Sequence, residues 1–462
     1  MQIDLDKLIS LGRDVEPPLE IALADGSCTV ENIHRLLPGR RLAARGSHRG
    51  RDVFFKLFFG NGARRACGRD RQGVELLRSS GVETPKLLLE TATAQPGGHA
   101  LVFEYLKHAR PIGTGECPEV GNHAALAVDA LARLHGRGAV HRDANLDNFM
   151  VSGGRLYVVD GAAVRGTRGA LGEPASLKAL AAFLAEYPPA EDDRVPELLS
   201  RYETGRGWPE GASRLSRLEA ELAEARRLRV RRYLAKTERD CTEFHVERGW
   251  RCVILAKRSR WTGALAGFAQ DPEARLTDAE RIKNGRSATV FRLRLDGEPF
   301  VVKRYNVKSA LHRVRRWFRH RSRIAWRNGH RLAFLGIPGA EPVALIERRW
   351  GPLRAESWLV MPDCGSHDIQ AEVEARGWAD HLLDGVVRIF RDLKTAGLFH
   401  GDTKASNFLV QDGTVHLIDL DGMRESPRYA ADVARFLRNF DGQALTEARA
   451  RLAAEGLLGS SE

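Results

Sequence analysis

Long apolar runs, C-x-x-C pairs and a signal-peptide pattern are not found in the sequence as given. No stretch of its 462 residues approaches the ~18 apolar residues of a membrane-spanning helix, so we expect none. The six cysteines are scattered without a C-x-x-C pair, which disfavours a disulfide framework or a zinc site and indicates reduced thiols. The first residues lack the basic start and apolar core of a signal peptide. We therefore predict a cytoplasmic location.

Acidic residues are fewer than basic ones, and the resulting net charge of +12 favours an anionic partner. The imbalance is greatest between Lys303 and Arg331, which holds eleven Lys and Arg, and no Asp or Glu occurs from Arg304 to Ala340. This basic segment either docks on phosphorylated sugars or on the anionic inner face of the cytoplasmic membrane, or is a solvated helix. Nucleic acid is disfavoured, because no interleaved aromatics or known binding motif accompany the charge.

One short pattern occurs twice. His141–Asn148 and His400–Asn407 each have the form H-x-D-x-x-x-x-N, and an apolar strand ending in Asp follows each. The Asp-to-Asn spacing is 5 and the Asn-to-Asp spacing is 12 in both copies, which repeat at one offset of 259. Such a pattern places a base near a hydroxyl and two oxygen ligands around Mg²⁺, as phosphoryl transfer requires. The three positions are Asp143, Asn148 and Asp160 in the first copy and Asp402, Asn407 and Asp419 in the second.

A lysine on a predicted strand precedes each loop. Lys56 lies 87 residues before Asp143, and Lys303 lies 99 residues before Asp402. Both spacings suit a two-lobed kinase core in which the lysine pairs with nucleotide phosphates. The glycine-rich loop that would cover those phosphates is degenerate in both copies, so this region predicts only a turn.

The copies differ in two further positions. Kinases pair the strand lysine with an acid on the following helix, and Asp70 or Glu75 offers one in the first copy. The second copy has Ala325 where related kinases carry Glu. It has instead Lys404, two residues after its candidate base, as a contact for the transferred phosphoryl group. Each copy thus lacks one part, and both copies active, one active, or one a scaffold all stay open.

The two histidines are expected to be structural. We predict that His141 and His400 hydrogen-bond the backbone near the metal-binding aspartates, and we give them no role in proton transfer. Asp421 either binds a second cation or caps a turn.

The repeat sets the expected organisation of the chain. We predict an α+β chain of two tandem protein-kinase-like domains, each with a small β-rich N-lobe and a helical C-lobe. Only 43 residues follow Asp419 and no A-P-E occurs, which disfavours a protein kinase that grips a peptide. The predicted parts are an N-terminal extension (1–35), a first domain (36–235), a linker with a β-hairpin (236–279) and a second domain (280–462).

The second copy resembles a known family. His400–Val410 with Ile418–Asp421 looks like the lipopolysaccharide kinase family, which phosphorylates core heptose, and Val301–Lys308 and Trp326–Pro338 are similar to its small lobe. The first copy, with Phe55–Phe58 and His141–Asp143, is similar too. The resemblance implies ATP, Mg²⁺ and an acceptor in lipopolysaccharide core oligosaccharide or its lipid-linked precursor. A pseudokinase scaffold that binds nucleotide, or a protein kinase, is the alternative.

Overall fold

The chain forms two compact units. The first comprises Met1–Tyr187 and Asp193–Arg226, and the second comprises Pro188–Asp192 and Arg227–Glu462. The division falls inside one helix, Ala212–Lys236, close to the predicted boundary at 235. The computed structural model describes residues 3–12, 14–113, 120–209, 211–285, 287–306, 320–351 and 353–458.

An antiparallel sheet dominates the N-terminal part of the first unit. In the described residues it has six strands in the order β1-β2-β3-β4-β6-β5. Alternate side chains of β4, such as Phe55 and Leu57, are buried, as expected when a sheet is covered on its faces. Helix α1 (Leu5–Leu11) packs on one face and α2 (Ala63–Ser79) on the other. The strands are β1 Leu19–Leu23, β2 Gly26–Leu37, β3 Arg41–His48, β4 Arg51–Phe58, β5 Leu87–Ala92 and β6 His99–Glu104.

The described residues of the predicted N-terminal extension (1–35) include β1 and most of β2, so this segment contributes two strands to the sheet, which corrects that prediction. Strand β1 pairs with β2 from Leu19 opposite Val30 to Leu23 opposite Gly26, and β2 continues the pairing with β3. The alternation of buried residues in β1 is short, and the second half of β2 is largely exposed. The periodic signal of a buried strand is therefore weak there, and the pairing of β2 with β3 also shifts register twice, between Val30 and Asn32 and between Ile33 and Arg35.

The remainder of the first unit is mainly helical and holds the first of the two repeated loops. Its core surrounds Phe149, Phe183 and Tyr202, all fully buried. Short strand pairs, β9 with β7 and β10, and β8 with β11, frame the loop. The elements are α3 Val120–Gly136, β7 Arg110–Pro111, β8 Ala139–His141, β9 Phe149–Ser152, β10 Arg155–Val158, β11 Val164–Gly166, α4 Glu173–Leu184, α5 Val195–Arg206 and α6 Ala212–Lys236.

A second antiparallel sheet dominates the second unit. In the described residues it has seven strands in the order β12-β13-β17-β18-β16-β15-β14. The predicted hairpin at 242–256 is confirmed as β12 and β13. Because β13 also pairs with β17, the hairpin is part of the sheet and not a linker, which corrects that prediction. The strands are β12 Phe244–Arg248, β13 Cys252–Lys257, β14 Glu280–Asn284, β15 Ala288–Leu295, β16 Glu298–Tyr305, β17 Ala344–Trp350 and β18 Leu353–Pro362.

Helices cover both faces of this sheet, and others form the C-terminal part of the unit. Helices α7 and α8 pack on one face, and α9 packs on the other through Ala325 and Trp326. The helices are α7 Gly263–Gln270, α8 Pro272–Leu276, α9 Arg321–Phe334, α10 Ile369–Arg376, α11 Asp380–Thr395, α12 Tyr429–Leu437 and α13 Gly442–Ala454. The short strands are β19 His367–Asp368, β20 Leu398–Phe399, β21 Phe408–Gln411, β22 Thr414–Leu417 and β23 Arg424–Glu425.

The architecture is mixed α/β and consistent with a kinase-like fold, as predicted. Each unit follows its large sheet with a helical part that carries one of the repeated loops. In the described part of the chain, no helix is both long and apolar enough to cross a bilayer. That the two units are tandem kinase domains stays a prediction.

The helical core of the second unit encloses a carboxylate on α11. The side chain of Asp392 is only 1% exposed, and its one ion pair among the described residues is a long contact of 3.7 Å with Arg388. Burial raises the pKa of Asp392 to about 6, with a further contribution from Asp192, and Arg388 and Arg391 only partly offset this. The folded chain therefore binds this proton more tightly than the unfolded chain.

We expect Asp392 to make the second unit less stable as the pH rises. A carboxyl with a raised folded-state pKa contributes stability that is complete below about pH 4 and is lost by about pH 6. Asp392→Asn should remove this loss, on the order of 1–3 kcal/mol, and be the more stable protein at pH 7.5. Urea unfolding at pH 4 and 7.5 measures the difference. Asp380→Asn, which removes an exposed carboxylate from the same helix, is the control, and equal pH dependence in Asp392→Asn and wild type would contradict the account.

Candidate active site

The two candidate catalytic loops share two hydrogen bonds at equivalent positions. In the first, the Asn148 side-chain amide donates to the carbonyl of Asp143 at 2.7 Å, and the amide of Val159 donates to the Asn148 carbonyl at 2.9 Å. In the second, Asn407 donates to the Asp402 carbonyl at 2.7 Å, and Ile418 donates to the Asn407 carbonyl at 2.9 Å. The repeated spacings of 5 and 12 thus correspond to one hydrogen-bonded arrangement built twice.

A buried histidine ties each loop to the strand that ends in the second aspartate. His141 Nε2 donates to the Val159 carbonyl and His400 Nε2 donates to the Ile418 carbonyl, each at 3.0 Å. Burial lowers the pKa of both histidines, which keeps the rings neutral near pH 7. These contacts confirm the predicted structural role.

The aspartates that end these strands have left-handed backbones. Asp160 has φ 61° and ψ 62°, and Asp419 has φ 60° and ψ 53°. A residue with a Cβ adopts this conformation at a cost of roughly 1–2 kcal/mol, although Asp tolerates it better than most. A turn of 3-10 helix follows each aspartate, at Gly161–Ala163 and Leu420–Gly422.

In the first unit, Lys56 lies between two carboxylates. Its Nζ is 2.7 Å from Asp70 Oδ2 and 3.2 Å from Asp160 Oδ1, and Arg41 approaches Asp160 at 3.7 Å. Burial alone would raise the pKa of Asp160, but Lys56 and Arg41 outweigh it and hold that pKa below its usual value. The carboxylate is thus fully ionised at neutral pH.

Asp70 is the helix acid, and Glu75 is not. Asp70 is completely buried, whereas Glu75 is 59% exposed and pairs with Arg71 at 2.6 Å. Five residues along a helix turn the side chain by about 140°, so the two acids point to different sides of α2. Gly73 allows α2 to pack closely against the turn after Asp160, because a Cβ at this position would lie 1.8 Å from the Gly161 carbonyl oxygen.

In the second unit, Asp421 supplies the carboxylate that α9 lacks. Lys303 Nζ is 2.7 Å from Asp419 Oδ1 and 3.0 Å from Asp421 Oδ2. Asp421 also accepts from the Tyr305 hydroxyl at 2.7 Å and pairs with Arg321 of α9 at 2.8 Å. Burial would raise the pKa of Asp419, and Lys303 lowers it below the usual value. From the sequence, Asp421 was predicted either to bind a second cation or to cap a turn. In the structure it contacts Lys303.

The candidate bases of the two loops differ in their surroundings. Asp402 is half-buried, with Arg435 Nη2 of α12 at 2.5 Å from Oδ1 and Lys404 Nζ at 3.7 Å from Oδ2. Asp143 is exposed and has no ion pair among the described residues. Only the second loop therefore holds its aspartate side chain in a fixed direction.

Helix α12 also anchors the backbone of the second loop. The buried Asp432 carboxylate accepts from the amides of His400 at 2.6 Å and Gly401 at 2.8 Å, and Thr403 donates to the Asp432 carbonyl at 2.6 Å. Burial raises the pKa of Asp432, and the two amides partly offset this. Sequence reasoning missed Asp432 and Arg435, whose only signal is their three-residue spacing on one helix.

The described part of the basic segment is engaged within the second unit. Residues 307–319, including the central arginines of the predicted docking surface, lie outside the described residues. The arginines of α9 are ion-paired, and Arg323, at 14% exposure, is mostly buried. This part is not a freely charged surface, and membrane contact stays a prediction for the rest. The pairs are Arg321–Asp421, Arg323–Glu347, Arg327–Glu238 and Arg331–Glu425.

The donor set fits a magnesium ion bound with a nucleotide. No group of three His, Cys, Asp or Glu side chains in the described residues could hold a metal unaided. Mg²⁺ is commonly held by one or two protein oxygen donors together with substrate phosphates and water. Asn407 and Asp419 in the second unit, and Asn148 and Asp160 in the first, offer such donors.

Comparison with known proteins found a family similar to part of the second unit. The model of the Lipopolysaccharide kinase (Kdo/WaaP) family matches residues 274–451, a range that includes Lys303 and the second loop. This match supports the assignment of the chain as a kinase. A comparison with curated proteins found no match.

A solved structure is also similar to part of the chain. It is titled "WaaP in complex with acyl carrier protein", is 21% identical, and has a TM-score of 0.32. The alignment covers 42% of this chain and 88% of that one.

We expect the contact between Tyr305 and Asp421 to stabilise the second unit. Tyr305 is fully buried, so Asp421→Ala would leave its hydroxyl without this acceptor, at a cost of about 1–3 kcal/mol. In the Tyr305→Phe background the same change should cost measurably less. A double-mutant cycle on the free energy of unfolding gives the coupling.

A second cycle serves as the control for this coupling. It pairs Tyr305→Phe with Asp441→Ala, which removes an exposed carboxylate of the same unit, and it should be additive within about 0.5 kcal/mol. Additivity in the Tyr305–Asp421 cycle as well would show that the hydrogen bond contributes nothing.

Proposed function

We propose that this chain is an ATP- and Mg²⁺-dependent carbohydrate kinase that phosphorylates a heptose hydroxyl of the lipopolysaccharide inner core. We further propose that the second unit carries out the transfer. The observation that carries the proposal is the fixed Asp402, held by Arg435 in a loop that α12 anchors. The family match supports it, because residues 274–451 include this loop and Lys303.

Each candidate residue of the second unit has its own role in the proposed transfer. Asp402 orients the acceptor hydroxyl and accepts its proton at a carboxylate oxygen, and Arg435 holds that carboxylate in place. Lys303 pairs with nucleotide phosphates, and Lys404 contacts the transferred group. Asn407 and Asp419 hold Mg²⁺, which neutralises phosphate charge when bound. Most of the rate comes from positioning and fixed charge, as is general for phosphoryl transfer.

In the second unit, the carboxylate that pairs with Lys303 comes from the turn after Asp419 and not from α9. Asp421 takes the place of a helix acid by contacting Lys303, while Arg321 and Tyr305 fix the direction of the carboxylate. Lys303 is thus positioned although Ala325 stands where related kinases carry Glu.

The first unit is proposed to bind nucleotide with Lys56, Asp70, Asn148 and Asp160. Its lysine site is complete, since Asp70 and Asp160 both contact Lys56. Its candidate base, Asp143, is exposed and has no counterpart to the Arg435 contact among the described residues. We therefore assign it no more than a minor share of turnover.

The two candidate bases provide a matched pair of variants. Asp402→Asn should lower turnover at least a hundredfold with nucleotide binding retained, because general base catalysis contributes about 10²–10⁴. Asp143→Asn should keep most of the turnover, since its loop does not hold the carboxylate. Steady-state kinetics with calorimetric nucleotide titration separates the two effects. Full activity in Asp402→Asn together with loss in Asp143→Asn would exchange the roles of the two units.

The acceptor is tested by direct product analysis. We expect incubation of the purified chain with ATP, Mg²⁺ and dephosphorylated core oligosaccharide to give a product heavier by one phosphate, which fragmentation assigns to heptose. Asp402→Asn should give none. Nucleotide binding without transfer to any acceptor would support the scaffold alternative. Efficient labelling of added protein, with the oligosaccharide untouched, would support a protein kinase.

A further inference from the structure

A cleft in the first unit is lined by arginines that the proposed chemistry does not use. It has a volume of about 1050 Å³ and lies between the N-terminal part of α2 and strand β11. Volumes of this size are typical of small-molecule sites. Four arginines line it, no acidic residue does, and three of its other lining residues are glycines without side chains. The arginines are Arg64, Arg65 and Arg69 on α2 and Arg165 on β11.

The arginines of α2 are paired differently inside and outside this cleft. Arg71, which does not line it, pairs with Glu75 at 2.6 Å and with Glu90 at 3.2 Å. Arg64, Arg65 and Arg69 are exposed, and none of them has a carboxylate partner among the described residues. Arg65 and Arg69 are one helical turn apart, and Arg64 lines the same cleft. Like charges around one cleft repel one another, so an anion bound there would relieve that repulsion.

The fourth arginine is held in place by the backbone. Arg165 Nη1 donates to the carbonyls of Ala162 at 2.8 Å and Val164 at 2.6 Å. These bonds fix the guanidinium from the strand side of the cleft without neutralising its charge. The planar fork of an arginine matches the oxygens of a phosphate group, with which it forms charge-assisted, often bidentate hydrogen bonds.

The start of α2 adds to the positive potential. The helix has 17 residues and begins after Gly62, which lines the cleft and provides no side-chain cap. The first amides of a helix are unpaired within it and carry its positive dipole end, which favours phosphate. We propose that this cleft binds a phosphate monoester or diphosphate group, separately from the lysine site of the same unit.

Occupancy of the cleft would act on the candidate active site through α2. The same helix carries Asp70, the partner of Lys56, and it packs through Gly73 against the turn after Asp160. Strand β11 follows that turn directly. An anion bound to both α2 and β11 therefore stabilises the two segments that position Lys56 and Asp160. This inference does not depend on the identity of the acceptor.

Calorimetric titration of the intact chain with inorganic phosphate and with pyrophosphate tests the proposal. The variant Arg64→Gln/Arg65→Gln/Arg69→Gln should weaken binding at least tenfold. The control Arg78→Gln/Arg133→Gln/Arg137→Gln removes the same charge from exposed positions of the first unit outside the cleft, and it should change affinity less than threefold. Affinity in the wild type should fall as salt rises, since screening weakens exposed charge interactions.

Further experiments locate the binding site and identify the source of the bound phosphate. Binding should reduce hydrogen exchange in residues 63–79 and 164–166, which line the cleft or lie beside it. Core oligosaccharide before and after phosphatase treatment distinguishes a saccharide phosphate from the free ion. Wild-type affinity in the cleft triple variant, equal loss in the control variant, or unchanged hydrogen exchange in residues 63–79 and 164–166 would each overturn the proposal. The proposal would also be overturned if phosphatase-treated saccharide bound as tightly as untreated saccharide while inorganic phosphate did not bind.

Discussion

Both candidate sites depend on a lysine ammonium held among carboxylates with little access to water. Moving such charges out of water is costly, so the arrangement is stable only where each charge keeps close, well-directed partners. Lys56 obtains its second carboxylate from the helix that follows its strand, whereas Lys303 obtains it from the turn after Asp419. Once the turn supplies the acid, the helix of the second unit is left to carry cations. Arg321 on that helix pairs with the same Asp421.

The repeated loop was predictable because its interactions are local. Carbonyl and amide partners within Asp143–Val159 recur in Asp402–Ile418, so equal spacing implies equal hydrogen bonding. The choice between Asp70 and Glu75 was also within reach of helical periodicity, because only one of them lies on the buried side of α2. Asp432 and Arg435 were not, since they reach the loop from a helix about thirty residues later and carry no recognisable pattern.

Charge counting along the sequence does not show which of the described arginines are paired with carboxylates. Lys303–Arg331 contains no acid, yet the arginines of α9 meet carboxylates such as Glu347 and Asp421 that are remote in sequence. The arginines of the cleft lie in a segment that does contain acids, and those acids face other partners. Pairing is a property of three-dimensional proximity, so composition alone could not tell that the described arginines of α9 are paired and those of the cleft are not. The hairpin of β12 and β13 shows a related limit of sequence-based prediction. Its turn was evident from the sequence, whereas the pairing of β13 with β17 was not.

The left-handed backbones at Asp160 and Asp419 carry a cost that their side chains offset. Glycine adopts that conformation without penalty and asparagine tolerates it, whereas neither has a carboxylate. The same two carboxylates are partners of Lys56 and Lys303, so either substitution would remove a charge partner from a mostly buried lysine. The ~1–2 kcal/mol gained from the backbone is smaller than the typical cost of breaking a buried ion pair. Selection for heat resistance and selection for the proposed activity should therefore retain the same residue at these two codons.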